Sequence, residues 1–195
     1  FRELDAVVTD PDAVLASNTS SIPIMKLGTC TARPERVIGM HFFNPVPVLP
    51  LVELVSTLET GAAARDRAQA FAEQVLGKQV VHSADRAGAV VNALLVPYLL
   101  SAIRMAESGF ATPVDIDRAM VLGCAHPMGP LTLADLVGLD TIKSIADSMY
   151  TEFAEPLYSP PPLLLRMVEA GRLGKKSGHG FYRYDAPRAM ARAAR

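Results

Sequence analysis

The chain has 195 residues, half of them hydrophobic, and a formal net charge of -1 at pH 7 from 19 basic and 20 acidic side chains. That is enough chain for a substantial core and one or two domains. The near balance of charge gives no basic field to attract nucleic acid and no acidic run of the kind that makes a solvating tail.

The elements follow in chain order. Ala13-Val14-Leu15-Ala16 reads as a short buried strand that ends in the polar cluster Ser17-Asn18-Thr19-Ser20-Ser21. Val37–Phe43, Leu51–Val55 and Gln79–His82 read as three more strands, short enough and apolar enough to be interior. Residues 62–76 are Ala-rich, which predicts a helix with Ala68, Phe71, Ala72 and Val75 on its inner face and Gly77 after its end. After Gly88 the character changes. Val90 to Ala106 is apolar nearly all round, which predicts a buried helix kinked by Pro97. Thr112 and Pro113 suit the cap and first position of a helix that Gly123 would end. Further helices are expected over Leu131–Leu136, from Asp140 to about Phe153, and over Leu163–Ala170 behind Pro160-Pro161-Pro162. The expected organisation is therefore an α/β part over residues 1–84, an all-helical part over 85–185 and a tail over 186–195. The basic residues of that tail, Arg188, Arg192 and Arg195, are expected to fray.

Cys30 and Cys124 are far apart and form no CxxC pair, which fits a reducing cytoplasm and gives no metal site. The first residues lack the basic and apolar regions of a signal peptide. Asn18-Thr19-Ser20 matches a glycosylation sequon, which is read as chance in a chain expected not to be secreted. No apolar run reaches the roughly 20 residues needed to span a bilayer, so no membrane partner is expected. Phe1 is not an initiator Met, so an upstream segment is expected.

Few residues invite chemistry. His41 lies at the end of an apolar strand, where ligands bind in open α/β sheets. Glu53 sits twelve positions on, inside Leu51-Val52-Glu53-Leu54-Val55, where an unpaired carboxylate is costly. If the two strands are neighbours, Glu53 reaches His41, fixes its tautomer and stabilises its protonated form, as suits a general base. The alternative is an edge-strand Glu facing water. The hydroxyls of Ser17–Ser21 either cap a helix or donate to a substrate oxygen. Asn92, among Val90, Val91, Leu94 and Leu95, needs a partner, either a loop or a ligand. Lys175-Lys176, between Gly174 and Gly178, is either a solvated turn or a contact for a phosphate or carbonyl oxygen.

Taken together, Ser17–Ser21, His41-Phe42-Phe43-Asn44-Pro45-Val46-Pro47, Leu51-Val52-Glu53 and Val91-Asn92-Ala93-Leu94-Leu95 resemble the 3-hydroxyacyl-CoA dehydrogenase family. So do Asp115-Ile116-Asp117, Pro127-Met128-Gly129-Pro130 and Gly174-Lys175-Lys176-Ser177-Gly178, in order to about residue 185. The block from His41 to Pro47 is specific; the lysine-glycine block is supportive. The resemblance implies a Rossmann-type α/β domain, its first half missing, followed by an all-α domain that makes a homodimer. It implies oxidation of the 3-hydroxyl of a short-chain (3S)-3-hydroxyacyl-CoA such as 3-hydroxybutyryl-CoA, or the reverse reduction, with NAD, NADP being the other candidate. By position His41 resembles the general base, Glu53 its orienting partner, and Ser20 and Asn92 the groups around the reacting oxygen. Ser20, Asn44 and Lys176 resemble cofactor contacts.

Two departures are visible: Pro50 stands where relatives commonly have lysine, and Ala87-Gly88-Ala89 where they have Pro-Gly-Phe. The family's Gly-x-Gly-x-x-Gly turn is absent from these residues, so the chain alone is expected to be inactive even if its parent is an enzyme. The rivals are another β-hydroxyacid dehydrogenase, which would use a lysine in place of the His41–Glu53 pair, and a non-catalytic relative on the same scaffold.

Overall fold

The computed structural model describes residues 1–20 and 22–184. Ser21 and the expected tail over 186–195 lie outside the described residues. The chain forms two compact units, Phe1–Ala93 and Leu94–Arg195.

The first unit holds α1 (Arg2–Val7), β1 (Leu15–Ser17), α2 (Ile24–Gly28), β2 (Val37–Phe42), β3 (Leu51–Ser56), α3 (Ala62–Ala70) and β4 (Gln79–Ala84). The strands make one sheet in the order β1-β2-β3-β4. β1 and β2 are parallel, β2 and β3 antiparallel, β3 and β4 parallel. Side chains alternate across a strand. Ile38, Met40, Val52 and Leu54 therefore pack with Ala68 and Ala72 of the α3 region on one face. Val37 and Val55 pack with Ile24 of α2 on the other. His41 and Glu53 share the parity of Val37 and Val55, so they belong to the α2 face. Gly39 lets α2 come close: a Cβ there would sit 2.8 Å from Val55 Cβ and 3.0 Å from Ile24 Cγ1.

β1 and β4, read as interior, contain no buried residue. The first of the two readings of the serine cluster and the expected helix stripe do not hold either. Ser17–Ser20 do not cap a helix: α2 starts only at Ile24, behind Pro23, with no side-chain cap from its own entry. Its first amides are held by Asp85, whose carboxylate accepts from Ile24 N at 3.0 Å and Met25 N at 2.7 Å. The helix over 62–76 also does not bury the stripe expected of it. After Ala70 it widens into a π turn, Phe71–Val75, with Leu76 N donating back to Phe71 O. That changes the angular step, so Ala68 and Ala72 stay buried while Phe71 and Val75 are exposed.

The second unit is helical. α4 (Val91–Glu107) begins in the first unit and continues into it, followed by α5 (Pro113–Cys124), α6 (Pro130–Val137), α7 (Leu139–Phe153) and α8 (Pro162–Glu169). Its core takes Leu99, Leu100 and Ile103 from α4, Leu131 and Ala134 from α6, Ile142, Ala146 and Met149 from α7, and Leu164 from α8. Each large apolar side chain buried there contributes about 1.5–3 kcal/mol. α4 is not buried all round: Leu94 is 73% exposed, and Val90, just before it, 40%. Gly123 does not end α5. The helix runs to Cys124 and closes on Ala125 in the left-handed region, while Thr112 caps its start by accepting from Asp115 N as expected. Among the described residues no helix is long and apolar enough to cross a membrane.

Two buried carboxylates tie this unit together. Asp117 accepts from Leu131 N, Thr132 N, Thr132 Oγ1 and Tyr182 Oη at 2.6–2.9 Å, which places a negative charge at the N-terminus of α6. Asp135, fully buried, accepts from Phe181 N and Tyr182 N at 2.9 Å and from Tyr184 Oη at 3.0 Å. Burial first, and then the neighbouring carboxylates, push the Tyr182 and Tyr184 phenols well above their ordinary range. A pKa raised on folding gives stability that is present below the unfolded value, near 10, and lost at higher pH. We therefore expect the unit to be insensitive to pH from neutrality to about pH 10 and to loosen above it. A spectrophotometric titration near 295 nm checks this. Tyr182 and Tyr184 should ionise together with loss of the helical circular dichroism. Ionisation of every tyrosine at its ordinary pH with the helices intact would contradict it.

Candidate active site

β2 and β3 are joined by the proline-rich loop, and their register sets His41 directly opposite Glu53. His41 Nδ1 lies 3.0 Å from Glu53 Oε2, and Ser20 Oγ lies 2.9 Å from His41 Nε2. His41 is 7% exposed and Glu53 0%. A carboxylate only accepts, so the ring hydrogen belongs on Nδ1 and Nε2 keeps its lone pair toward Ser20. The other Glu53 oxygen accepts from the amides of Val90 and Val91, at 3.1 and 2.8 Å. Val91 opens α4, so a helix N-terminus faces the same carboxylate. A buried charge that keeps all of these donors is paid for locally.

Asn92 is the next residue of α4 and is buried. By fixing the amides just before it, Glu53 also fixes where that first turn starts. Asn44 stands three positions past His41 on an exposed stretch of loop. Lys176 belongs to the second unit, where its Nζ meets Asp140 Oδ2 at 2.7 Å. Burial alone would raise the Asp140 pKa, but the hydrogen bond and charge of Lys176 and the Thr141 amide outweigh it and hold it low. Ser20, His41 and Glu53 thus form one hydrogen-bonded line. Asn92 lies in the turn that Glu53 anchors, Asn44 lies beyond the end of β2, and Lys176 has a carboxylate partner of its own. Among the described residues no cluster of three or more His, Cys, Asp or Glu is placed to hold a metal ion.

Three other residues of the site were given no role by the sequence. Asn18 Oδ1 accepts from Phe42 N at 2.8 Å and so ties the end of β1 to the end of β2. The Phe43 ring meets the His41 ring edge-on, with centroids 4.7 Å apart. Asp85 holds α2 from the end of β4. Asp85 is half-buried just past the end of β4, and the amides it holds are some sixty residues away in sequence.

A line of hydroxyl, imidazole and carboxylate can pass a proton between a bound hydroxyl or carbonyl oxygen and the ring. Comparison with known families narrows what it serves. Residues 1–86 match the 3-hydroxyacyl-CoA dehydrogenase NAD binding domain, and residues 88–184 match the C-terminal domain of the same family. The chain belongs to the 3-hydroxyacyl-CoA dehydrogenase family. It is 73% identical over 184 residues to a 3-hydroxybutyryl-CoA dehydrogenase of Mycobacterium tuberculosis, covering 94% of this chain and 64% of that relative. The crystal structure of M. tuberculosis FadB2 superposes with a TM-score of 0.93 at 72% identity, covering 94% of this chain and 65% of that one. The (S)-3-hydroxybutyryl-CoA dehydrogenase PaaH1 of Ralstonia eutropha gives 0.90 at 46%, covering 95% and 65%. This member of the family therefore spans a little under two thirds of the length of the relatives it matches.

Proposed function

We propose that this chain is part of an NAD-dependent 3-hydroxyacyl-CoA dehydrogenase acting on short-chain substrates such as (3S)-3-hydroxybutyryl-CoA. The observation that carries the reading is the line Ser20–His41–Glu53, buried at its carboxylate end and open at its hydroxyl end. In oxidation, His41 Nε2 takes the proton of the 3-hydroxyl as C3 gives up its hydride, and Glu53 stabilises the imidazolium that forms. In reduction the same proton returns from Nε2 to the oxygen. Ser20 Oγ, within hydrogen-bond reach of Nε2, holds the oxygen in line with the base. Asn92 positions the substrate from the first turn of α4. A bound nicotinamide cofactor supplies the hydride acceptor, or the donor in reverse.

The donor set suits such a cofactor. Ser20 and Asn44 offer exposed neutral hydrogen-bonding groups beyond the ends of β1 and β2. In the helical unit, Lys176 has three donors and keeps part of them when Asp140 binds it, which suits a phosphate or carbonyl contact in its own right. The exposed apolar residues Leu94, Phe110, Val114 and Leu122 of the helical unit support a homodimer formed through it. Cys30 and Cys124, free and exposed, suit a reducing cytoplasm.

The test is an assay of the full-length protein with acetoacetyl-CoA and NADH, followed at 340 nm, with NADPH in parallel. NADH consumption that forms the (S)-hydroxy product is the expected result. No turnover with either cofactor by folded protein would refute the reading.

A further inference from the structure

The loop from Phe43 to Pro50 joins the strand of His41 to the strand of Glu53, yet little packing holds it: Asn44, Pro45, Pro47, Val48, Leu49 and Pro50 are all exposed. Pro45, Pro47 and Pro50 lack an N–H, so the loop has few donors for its own carbonyls. Its internal bonds are Val48 N and Leu49 N to Pro45 O, at 2.9 and 3.0 Å. Two further carbonyls, Val46 O and Leu49 O, converge on one ammonium, Lys78 Nζ, at 2.6 and 2.7 Å. Lys78 is itself anchored. Its backbone N donates to Ala72 O at 2.9 Å, and the next residue, Gln79, donates from N to Pro50 O at 2.7 Å. Gln79 opens β4, which pairs with β3 so that Glu53 lies opposite Val81.

We propose that Lys78 is a positioning residue for the His41 site. Its ammonium spans two carbonyls of the loop and ties them to the strand pair that holds Glu53. This keeps Phe43 against the imidazole and Asn44 beyond the end of β2. A compact cation with three donors suits this role, and charge-assisted hydrogen bonds are stronger than neutral ones. Lys78 acts through the loop and touches neither the reacting oxygen nor C3. Its kinetic consequence rests on the dehydrogenase reading above, whereas its effect on the loop does not.

The experiment compares wild type, Lys78→Met, Lys78→Gln and Lys78→Arg in the full-length protein, with acetoacetyl-CoA and NADH varied independently. Lys78→Met and Lys78→Gln should raise KM for NADH about tenfold, since Asn44 is then poorly placed, while kcat changes less than about threefold. Lys78→Arg should restore KM to within about threefold, because a guanidinium also reaches two carbonyls. Hydrogen exchange at the Val48 and Leu49 amides should quicken in Lys78→Met and Lys78→Gln, but not in Lys78→Arg. An unchanged KM, or a kcat that merely follows the fraction of folded protein, overturns the proposal. If wild type turns nothing over, the dehydrogenase reading falls, and the exchange rates alone decide whether Lys78 holds the loop.

Discussion

Glu53→Gln will lower kcat/KM of the full-length protein for 3-hydroxyacyl-CoA oxidation by about ten-thousand-fold while leaving the sheet folded. The reason lies in hydrogen-bond polarity. Glu53 Oε2 accepts from His41 Nδ1 and Oε1 accepts from Val90 N and Val91 N. An amide keeps one acceptor, and the backbone donors of Val90 and Val91 will hold it. The NH2 group then faces the imidazole and forces the hydrogen onto Nε2, where the proposed base needs a lone pair. The imidazolium also loses the negative charge beside it. His41→Gln should fall to the same floor, and the double variant should fall little further, because the two residues act as a unit. Steady-state rates of the three variants, with circular dichroism to show folding, decide the matter. If Glu53→Gln kept more than about a tenth of wild-type activity, Glu53 would not be orienting the base.

Asp135→Leu should cost the helical unit roughly 3–5 kcal/mol and lower its melting temperature by roughly 15 °C or more. Leucine branches at the same carbon but is larger and accepts nothing. The amides of Phe181 and Tyr182 and the hydroxyl of Tyr184 are then left without an acceptor in a site closed to water. Gly180→Ala attacks the same knot from the other side: its Cβ would sit 2.0 Å from Asp135 Oδ1 and 2.7 Å from Gly174 Cα. Asp140→Asn is the contrast. Its ion pair with Lys176 is about half exposed, so its loss should cost no more than about 1 kcal/mol. Differential scanning calorimetry of the three variants ranks them. A melting temperature for Asp135→Leu equal to that of Asp140→Asn would show that the buried carboxylate is not what fastens residues 172–184.

β1 and β4 were read as interior and contain no buried residue, whereas β2 and β3 could be read from residue pattern, because buried strands are short apolar runs and Glu53 is out of place in one. That single anomaly pointed to a contact with His41, and the contact is present. The contribution of Ser20 was harder to see. A Ser-Asn-Thr-Ser run ahead of a helix looks the same whether it caps the helix or not, and the cap comes instead from Asp85, remote in sequence. Lys78 drew no reading from the sequence, since nothing local reveals two carbonyls some thirty residues upstream. Phe71 and Val75 misled because the stripe assumed 3.6 residues per turn, and a π turn breaks that count. Leu94 misled because an apolar residue on a helix says nothing about which side is covered. In the helical unit the motif Asp115-Ile116-Asp117 stood out only by resemblance. Its buried member, Asp117, is shown by the structure to cap α6.

The facing of His41 and Glu53 across an antiparallel ladder makes their separation a property of the backbone and not of two side chains. Loop motion at Pro45–Pro50 leaves it untouched, since the ladder bonds from Gly39–Val55 to Phe42–Val52 fix it as a set. A shift of one residue between the strands, however, would turn Glu53 to the opposite surface and leave the imidazole unaccompanied. Strand alignment is thus a gate through which the chain must pass before His41 and Glu53 can meet. Variants that favour misaligned pairing should yield protein with sheet and no turnover, a failure that thermal melting alone would miss.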